Sequence, residues 1–195
     1  MKTKVWILCG ALLVGGSLFA GPITYSVIMT GPNESPPVAS LGTGSAIIII
    51  DSTANTLNIV SETFSGLTSG TTASHIHCCT AVPGVSTAGV ATQVPTFSGF
   101  PLGVTSGSYS MSFDMTQAST WNPAFVTASG GTPAGAEAAL VAGALAGKAY
   151  LNIHTTNFGG GEIRGFLVAV PEPGTMALAI AALAGLFLVS KVRRT

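Results

Sequence analysis

The 195-residue sequence predicts a mainly β fold, an antiparallel β-sandwich with one or two short helices that lies between two apolar terminal segments. One observation is a series of short segments rich in β-branched and aromatic residues, separated by turns rich in Gly, Pro, Ser, Asn and Thr. Another is the alternation of Tyr109, Met111, Phe113 and Met115 with polar residues, which is the two-residue period of a half-buried strand. Such a series of strands is typical of an antiparallel sandwich.

The charge composition excludes two classes of partner. The formal net charge is zero and charged residues make up only 7% of the chain. The part between the apolar ends, residues 21–170, carries six acids and two bases. A chain with so few cations offers no basic patch, so we expect neither a nucleic-acid partner nor attraction to an anionic membrane surface.

Residues 1–20 have the features of a signal peptide. Lys2 and Lys4 precede an apolar stretch that ends at Ala20, a small residue suited to a signal peptidase. Glycines interrupt the stretch, which favours a cleaved signal over an uncleaved anchor helix. Cleavage near Ala20 would remove Cys9 and export the rest of the chain.

Six strands are predicted in the exported part, and a seventh is expected around the two neighbouring histidines. The six cover residues 23–30, 44–51, 56–64, 108–115, 149–155 and 161–169. The isoleucines at 47–50 do not alternate with polar residues, which predicts a central strand that is covered on both faces.

One helix interrupts the β pattern. Thr132 is a suitable N-cap, Pro133 suits the first helical position, and the Ala-rich segment that follows would end at Gly147. A shorter helical turn is predicted within residues 116–122, where Pro123 would stop it.

The three histidines are the candidate metal ligands. In a strand, the two-residue period places His75 and His77 on one face, and it places His154 on the polar face of its own strand. Two histidines at this spacing can share one ion, and a third from a neighbouring strand would complete a three-nitrogen site for zinc or copper. The alternative is that the histidines are neutral and connect loops by hydrogen bonds. We expect no other cofactor.

Cys78 and Cys79 follow the histidines directly. Neighbouring Cα atoms are about 3.8 Å apart, below the usual disulfide range of roughly 4.4 to 6.8 Å. An ordinary bridge is therefore excluded, but a strained vicinal disulfide that closes a tight turn is our first expectation for an oxidising compartment. Metal ligation is the second expectation and a bond to another molecule is the third.

Three blocks of the exported part resemble the CHRD domain, a module first described in chordin and found in bacterial secreted proteins. The first block contributes Glu34, Pro36 and Pro37, and the second contributes Gly66, Leu67, His75, Ile76 and His77. The third contributes Asn152, His154, Thr155, Gly161, Glu162, Ile163, Arg164 and Gly165. The resemblance implies an immunoglobulin-like β-sandwich over residues 21–169 but no established chemistry. The Cys78–Cys79 pair departs from it, because many members carry a glycine after H-I-H.

Residues 170–195 resemble the PEP-CTERM sorting signal. Pro171, Glu172 and Pro173 form the motif, an apolar run predicts a transmembrane helix at about 175–190, and a basic end follows. The resemblance implies that an exosortase cuts near the motif and passes the protein to the cell surface of a Gram-negative bacterium. The alternative is a plain tail anchor.

Three functions are consistent with these patterns. The first is a non-enzymatic cell-surface or extracellular-matrix protein, whose partners would be the exosortase, the export machinery and matrix components such as extracellular polysaccharide. The second is a domain that binds copper or zinc through His75, His77 and His154, with a cysteine as an additional ligand. The third is a superoxide-dismutase-like enzyme. Glu162 and Arg164 are predicted to form a structural ion pair rather than a catalytic pair.

Overall fold

The computed structural model describes residues 21–171. The predicted signal peptide, the predicted transmembrane helix, and Glu172 and Pro173 of the sorting motif lie outside the described residues. No helix within residues 21–171 is long and apolar enough to cross a membrane.

The described part contains eight strands and two α-helices. The strands are β1 (Ile23–Thr30), β2 (Thr43–Asp51), β3 (Thr56–Ser65), β4 (Thr71–His77), β5 (Gly107–Asp114), β6 (Tyr150–Thr155), β7 (Ile163–Phe166) and β8 (Val168–Ala169). The helices are α1 (Pro123–Ala128) and α2 (Pro133–Leu145), and 3-10 turns lie at Gly31–Asn33 and Ala118–Thr120. The mainly β class and all six strand-forming segments are confirmed. The last of these segments is divided into β7 and β8.

All eight strands belong to one antiparallel sheet. Its order is β4-β6-β7-β1-β2-β3-β5, with β8 also paired to β1. This differs from the predicted pair of stacked sheets, because β7 pairs with β1 and thereby joins β6 to β2 through one continuous ladder. The sheet curls until β4 faces β3, where the hydroxyl of Ser74 donates to Glu62 Oε1 over 2.8 Å.

The hydrophobic core fills the inside of this curl. Its fully buried side chains come from strands on both sides of the curl and from α2: Ile48, Leu57, Ile59, Ile76, Leu140, Leu151, Ile153 and Ile163. Complete burial of one such side chain stabilises the fold by about 1.5–3 kcal/mol. The core therefore packs against the inner faces of β4, β6 and β7.

Two expectations about strand faces need correction. Ile48 and Ile50 are buried, but Ile47 is 37% exposed, so β2 is central in the sheet but covered on one face only. In β5 the predicted alternation holds for Tyr109 and Phe113, whereas Met111 is 38% exposed. The reason is that β5 lies at the edge of the sheet, where cover from neighbouring strands is incomplete.

The long helix agrees with its prediction, and the short turn predicted within residues 116–122 is present as the 3-10 turn Ala118–Thr120. The Thr132 hydroxyl caps α2 by accepting a hydrogen bond from the Gly135 amide, and Gly147 follows the helix with φ of +66°. Pro123 begins α1 instead of stopping a helical turn. Proline fits there because the first amides of a helix have no partner within the helix.

Candidate metal centre

Two neighbouring strands bring the three histidines together. In the antiparallel pairing of β4 and β6, His75 lies opposite Asn152 and His77 lies opposite Tyr150. His154 is two residues beyond Asn152 and therefore on the same face. One ring nitrogen from each histidine lies within 4.8 Å of the others. The sequence period thus predicted a cluster that the fold assembles.

This face of β4 and β6 carries the polar side chains, as expected, and it is buried. His75, His77 and His154 are only 6%, 7% and 8% exposed. Loop segments cover them, and each histidine makes a hydrogen bond to one of these segments.

Every ring has one nitrogen held by a backbone carbonyl. His75 Nε2 lies 2.6 Å from the Pro95 oxygen, and His77 Nδ1 lies 2.9 Å from that of Ala88. His154 Nδ1 lies 3.0 Å from the Gly159 oxygen. A carbonyl only accepts hydrogen bonds, so each of these nitrogens must carry the proton and donate it. The carbonyls therefore define the tautomers, and the other nitrogen of each ring keeps a free lone pair.

The three unprotonated nitrogens face one another. His77 Nε2 and His154 Nε2 are 3.4 Å apart, and His75 Nδ1 is buried without a hydrogen-bond partner. Lone pairs at such distances repel each other unless a cation lies between them. Burial lowers the pKa of His75 and of His77 to about 4 and also lowers the pKa of His154. The neutral rings are the form that binds metal.

The spacing is compatible with one ion. A copper or zinc ion lies about 2.0–2.1 Å from an imidazole nitrogen, so two of its ligands are at most about 4.2 Å apart. The 3.4 Å between His77 and His154 is within that limit. Full convergence of the cluster requires a movement on the order of 1 Å. In each ring, the nitrogen that would not bind the ion donates a hydrogen bond to a backbone carbonyl, and contacts of this kind usually orient metal-bound histidines.

A cation and its carboxylate partner lie beside the cluster. The Tyr150 ring stacks on His77 with centroids 4.8 Å apart, and the guanidinium carbon of Arg164 lies 4.7 Å from the centre of the Tyr150 ring. Arg164 Nη1 donates to the Ser86 carbonyl, and Arg164 Nε lies 3.8 Å from Glu34 Oε2. Burial raises the pKa of Glu34 to about 7 against the opposing effect of Arg164.

The predicted pairing of Glu162 with Arg164 is therefore wrong, because the salt bridge of Arg164 is to Glu34. Glu162 instead accepts hydrogen bonds from Ser40, Thr68 and Thr155. Burial works to raise the pKa of Glu162, but these hydrogen bonds outweigh it and leave the pKa lowered. Glu162 thus connects the loop segments at Ser40 and Thr68 with the end of β6 at Thr155.

Unpartnered polar atoms are concentrated around the histidines. Within the described residues, four buried side-chain atoms have no hydrogen-bond partner, and three of them are Glu34 Oε1, His75 Nδ1 and Asn152 Oδ1. A Cβ on Gly161 would lie 2.6 Å from Asn152 Oδ1 and 2.7 Å from Glu34 Oε1, so only glycine fits there. The two-residue period placed Asn152 on the face of His154, whereas the sequence patterns did not single out Glu34 as a neighbour of the histidines, because its segment is distant from theirs in the chain.

The sulfur atoms of Cys78 and Cys79 are bonded to each other in the structure. They lie against α2, where a Cβ on Gly143 would be 2.3 Å from both sulfurs. Cys78 belongs to the hydrophobic core, on the opposite side of the strand from His77. The disulfide therefore joins a core residue, Cys78, to an exposed one, Cys79, and the structure does not bring either of these two cysteines to the histidines as an additional ligand.

Comparison with known proteins adds one assignment. The model of the CHRD domain family matches residues 25–167, nearly the whole described part. No curated protein and no solved structure matches the chain.

Proposed function

We propose, from the premise that this chain belongs to the CHRD domain family, that it is a non-enzymatic surface or extracellular-matrix protein whose domain binds one copper or zinc ion. The observation that carries the metal part is the convergence of three unprotonated ring nitrogens, from His75, His77 and His154, in a buried layer. A purely structural set of histidines would leave three lone pairs facing one another without a partner.

The two ends of the chain support the surface part of the proposal. Residues 1–20 have the pattern of a signal peptide, and the Pro171-Glu172-Pro173 motif precedes an apolar run and a basic end. Val170 and Pro171 are exposed and follow directly after β8. An exosortase would thus find its motif immediately outside the folded domain, and cleavage would release the domain to the cell surface or matrix.

Cell fractionation tests the sorting. In a Gram-negative host that contains an exosortase, we expect the parent chain to reach the cell surface or the medium. Replacement of Pro171, Glu172 and Pro173 by alanine should keep the protein in the membrane, whereas Val168→Ala should not. Equal distribution of the parent and the triple variant would contradict sorting through this motif.

Elemental analysis tests the metal site. We expect one equivalent of copper or zinc in the purified full-length protein and in Asp51→Asn, a control that removes an exposed carboxylate elsewhere. His77→Ala should contain none. If the parent binds no metal and folds equally well in a chelator, the histidines serve only to hold the loops.

An assay for superoxide turnover separates the binding domain from the dismutase-like alternative. The dismutase-like alternative rests on the arrangement of the histidines, two on one strand and a third on the neighbouring strand. We expect no turnover above that of the free ion. Turnover that is lost in His77→Ala would replace the binding function with an enzymatic one.

A further inference from the structure

We infer that the ion of the three-histidine site is monovalent copper, Cu(I), bound in preference to zinc. The inference rests on the proposed metal-binding function and names its ligand. Within the described residues, the cluster consists of three histidines, and no cysteine or carboxylate joins them as a fourth ligand. Zn²⁺ takes four ligands and completes a three-histidine set with water. Imidazole suits copper, and Cu(I), a closed-shell ion of low charge, adopts three-coordinate geometry without a fourth ligand.

The ligand set carries no charge of its own. The ring protons of His75, His77 and His154 are donated to the carbonyls of Pro95, Ala88 and Gly159. A carbonyl cannot take up the proton, so none of the rings becomes an anionic imidazolate. An ion bound here therefore keeps its full charge.

Burial makes that charge decisive. The cost of transferring an ion out of water rises with the square of its charge, so a divalent ion costs about four times as much as a monovalent one. The three histidines are more than nine-tenths buried, so little of this cost is recovered from solvent.

The surrounding charges do not compensate for a divalent ion. Among residues 21–171, the cation beside the cluster is Arg164, whose guanidinium lies over the Tyr150 ring that stacks on His77. Glu34 pairs with Arg164 and can at most cancel that one charge. The pair of Arg164 and Glu34 therefore supplies no net negative charge to offset Zn²⁺, and the carboxylate of Glu162 is held by Ser40, Thr68 and Thr155 rather than by the cluster. Cu(I) adds only one positive charge.

Zinc would also need a place for its water. Asn152 Oδ1 has no partner and lies next to His75 in the strand pairing, so it is the acceptor that a zinc-bound water would use. The contrast between the two ions can therefore be tested at this residue. Zinc binding should weaken in Asn152→Ala, and Cu(I) binding should not.

The test is a pair of titrations of full-length Cys9→Ser protein, in which the Cys9 thiol cannot compete for copper. After metal removal, Cu(I) is added without oxygen in competition with a chromogenic chelator, and Zn(II) is added with a zinc indicator at the same pH. We expect one equivalent of Cu(I), with a Kd at least 1000-fold below that for Zn(II). His77→Ala and His154→Gln should lose it, Asp51→Asn should retain it, and copper X-ray absorption should show three nitrogen ligands.

The outcomes separate the two levels of the proposal. Zinc binding that is equal or tighter, or a copper centre with a fourth oxygen ligand, would overturn the Cu(I) inference and leave the metal-binding function intact. If a protein with the circular dichroism spectrum of the parent binds neither Cu(I) nor Zn(II), the Cu(I) inference and the metal-binding function are both wrong.

Discussion

The two faces of β4, β6 and β7 are equally buried but chemically opposite. The inner face holds Ile76, Leu151, Ile153 and Ile163, which are completely inaccessible. The outer face of the same strands holds the three histidines, Asn152 and Arg164, all less than 9% exposed. The difference shows that side chains in this domain are buried in two ways. Those of the inner face pack in the hydrophobic core, and those of the outer face are covered by loops.

The two faces differ in how they affect stability. Apolar burial stabilises the inner face in proportion to area. On the outer face each buried polar atom needs a partner, and a buried group without one costs about 1–3 kcal/mol. Three of the four such atoms lie there and the fourth, Glu62 Oε2, lies in the inner layer, so the outer face retains the larger energetic cost. We therefore expect substitutions on the inner face to change mainly the free energy of unfolding, and substitutions on the outer face to change mainly metal binding.

The largest effect is expected on the inner face. Ile153→Ala should lower the free energy of unfolding by roughly 3–4 kcal/mol, because it removes a completely buried side chain and leaves a cavity. Urea unfolding measures the change, and metal stoichiometry should remain that of the parent. Ile28→Ala, at a residue that is 63% exposed, is the control and should change stability by less than about 0.5 kcal/mol. Loss of metal in Ile153→Ala would break the separation.

A pH effect is expected from Glu62, a buried carboxylate in the inner layer. Burial raises the pKa of Glu62 from 4.5 to about 7, although the hydrogen bond from Ser74 opposes this shift. Between these values the folded state binds the proton that the unfolded state has lost, so the contribution of Glu62 to stability should fall as pH rises. The loss is about 3 kcal/mol from below pH 4.5 to above pH 7.

Glu62→Gln removes this titration. Between pH 4.5 and 8, urea unfolding in a chelator should show a change in stability that is less favourable in the parent than in the variant by the Glu62 contribution, over a background rise from the buried histidines, which only the unfolded chain protonates. The histidines titrate equally in both proteins, so the difference isolates Glu62. Equal changes in the two proteins would mean that the pKa of Glu62 is not raised in the fold.

Metal should act through the outer face alone. An ion at a free concentration of one hundred times its Kd stabilises the folded state by about 2.7 kcal/mol. Thermal unfolding with added Cu(I) or Zn(II) should show this gain in the parent and none in His154→Ala. An equal gain in the variant would place the ion elsewhere.

The smallest effect is expected where the disulfide contacts α2. Gly143→Ala introduces a Cβ 2.3 Å from both sulfurs and should cost about 2 kcal/mol through overpacking. In a background with Cys78→Ala and Cys79→Ala, the same substitution should cost less than half of that. Urea unfolding of the four proteins forms a double-mutant cycle, and strict additivity would contradict the contact.

The sequence predicts the local elements well and their assembly less well. The strand at 23–30 and the helix cap at Thr132 agree with the structure because alternation and capping are local properties. The grouping of His75 and His77 follows from the same period. The buried position of the histidines could not be predicted, since it depends on the carbonyls of Ala88, Pro95 and Gly159, and any residue supplies a carbonyl.

Distant pairings were also beyond the sequence patterns. Arg164 and Glu162 are two residues apart, which suggested an ion pair. The salt bridge of Arg164 is instead to Glu34, which is distant from it in the chain. The run of isoleucines in β2 suggested cover on both faces, but the outer face of that strand has only partial cover. The single curled sheet depends on how β7 meets β1, a contact that no local pattern encodes.

The three carbonyl contacts of the histidines have a kinetic consequence. Each ring is held by a different stretch of loop backbone, so the ion cannot leave until at least one of these stretches moves and its histidine turns. We therefore expect the residence time of the ion to follow the opening rate of the loops rather than the strength of the metal–nitrogen bonds. Amide hydrogen exchange in residues 83–97 and 157–161 would measure that rate directly.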